Sequence, residues 1–157
     1  MGRIFDLRYL VIILAMLLPI VIVIMFGFDF PSISTTWDTV LQPLFIITNA
    51  ITSFYFFSLK RWKIPSVFLL LLTAFSVDMS PMFHNLLAGG FFLTCLYPLM
   101  WFKRFSYYVF IYLFAGVIWL FFGLFWFEVW GIYVLCIFHI HVMLYKRRLK
   151  NKKTPIV

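Results

Sequence analysis

The sequence predicts an all-α fold, a polytopic transmembrane helical bundle of six spans with both termini cytoplasmic. Three observations carry that reading. Hydrophobic residues make up 65% of the 157 and charged residues 11%, against roughly 25% charged in an ordinary soluble domain. The mean hydropathy of +1.06 means more apolar surface than a soluble core of this size can hide. The charged clusters cut the chain into pieces near the roughly 17 to 25 apolar residues that a span needs, and every Lys and Arg falls on one side if those pieces alternate in direction.

The first piece, 9–28, follows Arg3 and Arg8. It is too long for a signal-peptide core and has no small-x-small cleavage site after it, so it reads as a retained span. A polar loop over 29–38 leads to the second, 39–59, where Thr35 with Asp38 three residues on fits a capping box. The third is 64–77 and the fourth 81–102. Ser80-Pro81 reads as an N-cap followed by the first helical residue of the fourth, and Pro65 plays the same part in the third. The tract 106–145 would reach about 60 Å as one helix, twice the hydrocarbon thickness, so it must fold back. Phe125 to Glu128 is the expected bend, giving spans 106–124 and 128–145. Pro19, Pro43 and Pro98 fall inside spans and are expected to kink them. The basic tail, 146–157, is expected against anionic headgroups.

Charge supports the same topology. Thirteen Lys+Arg against five Asp+Glu give a net charge of +8, which here reports orientation rather than nucleic-acid binding. With the amino terminus inside, Arg3 and Arg8, then Lys60, Arg61 and Lys63, then Lys103 and Arg104, and lastly Lys146 to Lys153 all lie in the cytoplasm. Asp29, Asp38, Asp78 and Glu128 then lie outside. An odd number of spans would drag one basic cluster across.

Several residues stand out as candidates for function. Gln42, Asn49 and Ser53 share a face of the second span, with Thr48 and Thr52 on the adjoining strip. Such amides and hydroxyls should point into the bundle, either as glue worth about 0.6 to 2 kcal/mol per contact or as the lining of a cavity. His139 lies mid-span as a partner for that stripe or a proton-relay group. His139 and His141 sit about 200° apart around a helix and cannot share one ion, whereas Glu128 and His139 share a face but are separated by about 16 Å. At the outer rim Asp78, His84 and Glu128 are the candidate acid/base or metal-binding group. Ser32, Ser34, Trp37 and Asp38 stand on the outer loop. Cys95 and Cys136 lie in apolar runs and give neither a disulfide framework nor a CxxC site. No phosphate-binding loop, HExxH or GxSxG is present, and neither a metal nor a cofactor is expected.

The run Phe30-Pro31-Ser32-Ile33-Ser34 after the first span, with His84-Asn85-Leu86-Leu87-Ala88-Gly89-Gly90-Phe91-Phe92 in a later one, resembles the DRAM/Frag-type six-span membrane proteins. The likeness covers Phe30 to Phe92. Where that family's loop continues with Gly and a Pro-Glu pair, this chain has Thr36-Trp37-Asp38. The resemblance implies a non-catalytic or lipid-remodelling-associated membrane protein, and its motif positions here are Ser32, Ile33, Ser34 and His84.

The expected function is that of a multi-pass protein of the cell membrane, inner or plasma, non-enzymatic, binding a lipid or a partner membrane protein, which includes a second copy of itself. Two readings stand beside it: a membrane-embedded enzyme acting at the outer leaflet through Asp78 and His84, and a small transporter or channel subunit in which Gln42, Asn49, Ser53 and His139 line one cavity.

Overall fold

A computed structural model describes residues 7–77 and 79–153, leaving aside the side chains of 151–153, and every regular element among them is helical. The helices are α1 (Leu7–Phe26), α2 (Gln42–Phe57), α3 (Lys63–Ala74), α4 (Pro81–Trp101), α5 (Tyr107–Leu113), α6 (Ala115–Phe122) and α7 (Leu124–Lys153). A 3-10 segment, Ile33–Asp38, precedes α2. Three stretches are long and apolar enough to cross a membrane: Leu7–Phe26, Pro81–Trp101 and Leu124–Lys150. The 16 residues of α2 and 12 of α3 reach only about 24 and 18 Å, less than the roughly 30 Å of a hydrocarbon core.

Consecutive helices pack side by side from α1 to α4. Helix α7 returns against α1, with α5 and α6 laid on its flank. Helices α1, α2, α3, α4 and α7 thereby enclose a common interior. Small residues allow the closest approaches. The ring of Phe68 in α3 lies where a Cβ on Gly90 would stand, and Phe92 would meet a Cβ on Gly131 at 2.7 Å. Ser53 and Ser66 fasten α2 to α3 reciprocally, each hydroxyl donating to the other residue's carbonyl at 2.8 and 2.7 Å.

Several boundaries differ from the sequence reading. The chain turns at Gly123, whose φ of +87° is open to glycine without steric cost. Phe125 to Glu128 therefore form the first turns of α7 rather than a bend. The tail is helical through Lys153, because its Lys, Arg and Leu are good helix formers. Thr35 and Asp38 build no capping box. They belong to the 3-10 segment, in which the Thr35 hydroxyl donates back to the Ser32 carbonyl at 2.6 Å, and α2 starts later, after Leu41, without a side-chain cap. Pro43 consequently stands in the first turn of α2, where its missing N–H breaks no helical bond. Pro19 and Pro98 do lie inside their helices, and Ser80 caps α4 by accepting from the Phe83 N–H at 3.4 Å.

Three of the basic clusters gather at one end of the bundle. Arg61 stacks over Trp101 at 4.0 Å, Arg104 over Tyr145 at 4.7 Å and Lys146 over Phe102 at 5.8 Å, which joins the α2–α3 corner, the end of α4 and the last turns of α7. Asp38 and Glu128 belong to the opposite end, where the 3-10 segment meets the start of α7.

Candidate functional site

A cavity of about 80 Å³ lies inside the ring of helices. Its walls are mainly apolar, with Val11 and Leu18 from α1, Leu69 from α3, Phe91 from α4 and Leu135 from α7 among the lining. Polar groups enter it from three elements: Ser34 from the 3-10 segment, Thr48, Asn49 and Thr52 from α2, and Glu128 and His139 from α7. Thr48 and Thr52 are one helical turn apart, so both face inward from one strip. Eleven residues separate Glu128 from His139, three helical turns, which puts them on the same face about 16 Å apart.

At one end of the cavity sits Glu128, 5% exposed. Its Oε2 accepts the backbone N–H of Ile33 at 2.5 Å, and its Oε1 accepts the Ser34 hydroxyl at 3.4 Å. Ile33 opens the 3-10 segment, so its N–H has no partner within that helix. A carboxyl group in apolar surroundings requires such donors. The acid thus meets its hydrogen-bonding demand by pinning the first loop across the cavity mouth.

Aromatic rings surround His139 at the other end. Trp62 stands 4.5 Å from its ring centroid, Phe56 is stacked at 5.3 Å, and Phe138 and Tyr55 lie at 5.7 and 5.9 Å. Its Nε2 is buried without a hydrogen-bond partner, and so is the Thr48 hydroxyl. Both residues line the cavity. Leaving such an atom unmet costs about 1 to 3 kcal/mol, so two of them in one cavity, from α2 and α7, favour a guest that can hydrogen-bond.

The candidates named from sequence divide between this cavity and other duties. Asn49, His139, Glu128 and Ser34 line it. Ser53 is committed to Ser66, and Gln42, half-buried at the first turn of α2, is not part of the lining. The adjoining strip of Thr48 and Thr52 takes their place. The outer loop is largely folded inward: Ser32 is buried, Trp37 packs on Phe45 at 6.4 Å, and Asp38 is exposed. His84 is 1% exposed, and its Nδ1 lies 2.8 Å from the carbonyl of Phe75, tying the first turn of α4 to the end of α3. Asp78 lies outside the described residues. Among the described residues no group of three His, Cys, Asp or Glu is placed to hold a metal. His141 pairs with the Tyr108 hydroxyl at 2.6 Å, on the outer side of α7.

Two features escaped the sequence. The aromatic box of His139 draws Trp62 from a corner distant in the chain, and in a sequence with 22 Phe no spacing marks the rings that will meet. The link from Glu128 to Ile33 uses a backbone donor, which carries no residue signature. A scan against protein-family models, a search of curated proteins and a search of solved structures each gave no match.

Proposed function

We propose that this chain is a six-span membrane protein with both ends in the cytoplasm, and that its central cavity takes up one alkyl chain of a membrane lipid and binds it without chemical change. The lining of the cavity carries this reading. Its walls are mainly apolar over the roughly 16 Å between Glu128 and His139, and its polar groups are few. A slot of about 80 Å³ admits a short stretch of alkyl chain, since a cavity of roughly 150 Å³ already holds a benzene ring. Inside a bilayer an alkyl chain gains nothing by leaving its apolar neighbours. Selectivity therefore comes from fit and from the buried polar atoms, Nε2 of His139 and Oγ1 of Thr48, that a lipid's polar group would satisfy.

The gathering of basic corners at one end of the bundle supports the six-span topology and a cytoplasmic location for that end, by the positive-inside rule. The likeness to DRAM/Frag-type proteins points the same way, since it implies a non-catalytic membrane protein.

Native mass spectrometry of the full chain, released from mild detergent, tests the reading. With phosphatidylcholine as the sole lipid, so that no anionic headgroup is present, wild-type protein should carry one lipid per chain. Ala88 lines the slot, and Ala88→Trp, by filling it, should lower lipid retention at least tenfold with the helical circular-dichroism spectrum unchanged. Wild-type protein that emerges free of lipid in every charge state overturns the proposal.

A further inference from the structure

Four cations converge where α4 ends. Arg61 lies over Trp101, the last residue of α4, and Lys146 lies over Phe102, the next. Lys103 and Arg104 follow directly, both exposed, with Arg104 stacked on Tyr145 of α7. These side chains come from three separate stretches of sequence, and Arg61, Arg104 and Lys146 are each held by an aromatic ring. Helix-terminus electrostatics accounts for little of this. The carbonyl end of α4 offers roughly half a negative charge against four positive ones. Asp29, Asp38 and Glu128 are the acidic residues described in the structure; the first two precede α2, and Glu128 stands in the first turns of α7, remote from its basic last turns.

We infer that this cluster is a binding site for the phosphate of an anionic phospholipid. Exposed Tyr97, Met100 and Trp101 stand beside the cations, at 49%, 55% and 52% exposure. A belt of aromatic and apolar side chains next to fixed positive charge matches the level where acyl chain meets headgroup. Stacking also holds each guanidinium plane in place, which suits it to bind phosphate through paired N–H donors. The inference rests on the membrane reading and not on what fills the central cavity.

The test uses full-length protein in mixed micelles holding equal amounts of phosphatidylglycerol and phosphatidylcholine, with retained lipids counted by native mass spectrometry. One cation near a lipid surface is worth roughly a fivefold preference for an anionic lipid. Wild-type protein should therefore retain phosphatidylglycerol over phosphatidylcholine by at least fivefold, and that ratio should fall severalfold between about 0.1 and 0.5 M salt by screening. The triple variant R61Q/R104Q/K146Q should lose the preference, while Ala88→Trp should keep it. Equal retention of the two lipids by wild-type protein overturns the inference, and so does a preference indifferent to salt. Displacement of the lipid by millimolar inorganic phosphate overturns it too, by assigning the site to a free anion. The salt series needs no variant to fold.

Discussion

The backbone N–H of Ile33 donates to Oε2 of Glu128 at 2.5 Å, across 95 residues of chain. That bond, with the weaker one from Ser34, ties the first loop to the opening turns of α7 and closes the end of the cavity away from the basic corners.

Glu128→Ala should lower stability by about 1 to 3 kcal/mol, because it leaves the Ile33 N–H buried without an acceptor. Ser34→Ala should cost less than about 1 kcal/mol, since its bond to Glu128 is 3.4 Å long and its small apolar replacement strands no donor. Thermal unfolding in one detergent compares the two. Equal losses would mean that Glu128 does not hold the loop.

Ser53 and Ser66 donate to each other's carbonyls and also meet hydroxyl to hydroxyl at 3.1 Å, and that direct contact should keep their contributions from adding. A double-mutant cycle with Ser53→Ala and Ser66→Ala is expected to show a coupling of about 1 kcal/mol. Additive single effects would show that the two hydroxyls act independently and that their direct contact contributes nothing.

Gly89 and Gly90 are adjacent in α4 with opposite surroundings. A Cβ on Gly89 meets open space, whereas one on Gly90 runs into the ring of Phe68. Gly89→Ala should be neutral or stabilising by up to about 1 kcal/mol through helix propensity. Gly90→Ala should destabilise by about 1 to 3 kcal/mol through overpacking, and Phe68→Leu in the same chain should recover part of that. If both alanines behave alike, the α3–α4 contact is wrongly placed.

His139→Phe removes a buried nitrogen that has no partner and keeps a ring among Trp62, Phe56, Phe138 and Tyr55. The variant should unfold no earlier than wild type once lipid is stripped away, because an apolar ring carries no unmet polar atom, yet it should retain less lipid. A stability loss above about 2 kcal/mol in stripped protein would assign His139 to structure instead.

Both native cysteines are buried, Cys95 at 0% and Cys136 at 6% exposure, so single introduced cysteines report topology without background. Met79 is 71% exposed and Leu149 42%. An impermeant thiol reagent on intact cells should label Met79→Cys and spare Leu149→Cys. Labelling of both, or of Leu149→Cys alone, rejects the orientation proposed above.

The helical character of the chain was legible in composition, and the starts and ends of several helices in single residues: Ser80-Pro81 for α4, and the charged corners around Lys60 and Lys103. Local chemistry decides such points, and the sequence displays it. The fold-back of the last apolar tract was legible, but its place was not. Glu128, the one charge in that tract, marked a surface in the sequence reading, whereas a backbone donor 95 residues away satisfies it inside the bundle. Of the stripe read on α2, Asn49 lines the cavity beside Thr48 and Thr52 of the adjoining strip, whereas Ser53 found a partner in α3. Tertiary pairing of polar groups thus selected which residues of two neighbouring strips became cavity wall, and helical periodicity alone cannot rank them.

Photo-crosslinking tests the central claim most directly. A phospholipid carrying a diazirine midway along one alkyl chain, irradiated with the reconstituted protein, should attach to slot residues such as Phe91, Leu135 and Cys136. Attachment confined to outward side chains such as Leu93 and Leu120, 69% and 81% exposed, would show that lipid bathes the bundle without entering it and would contradict the account.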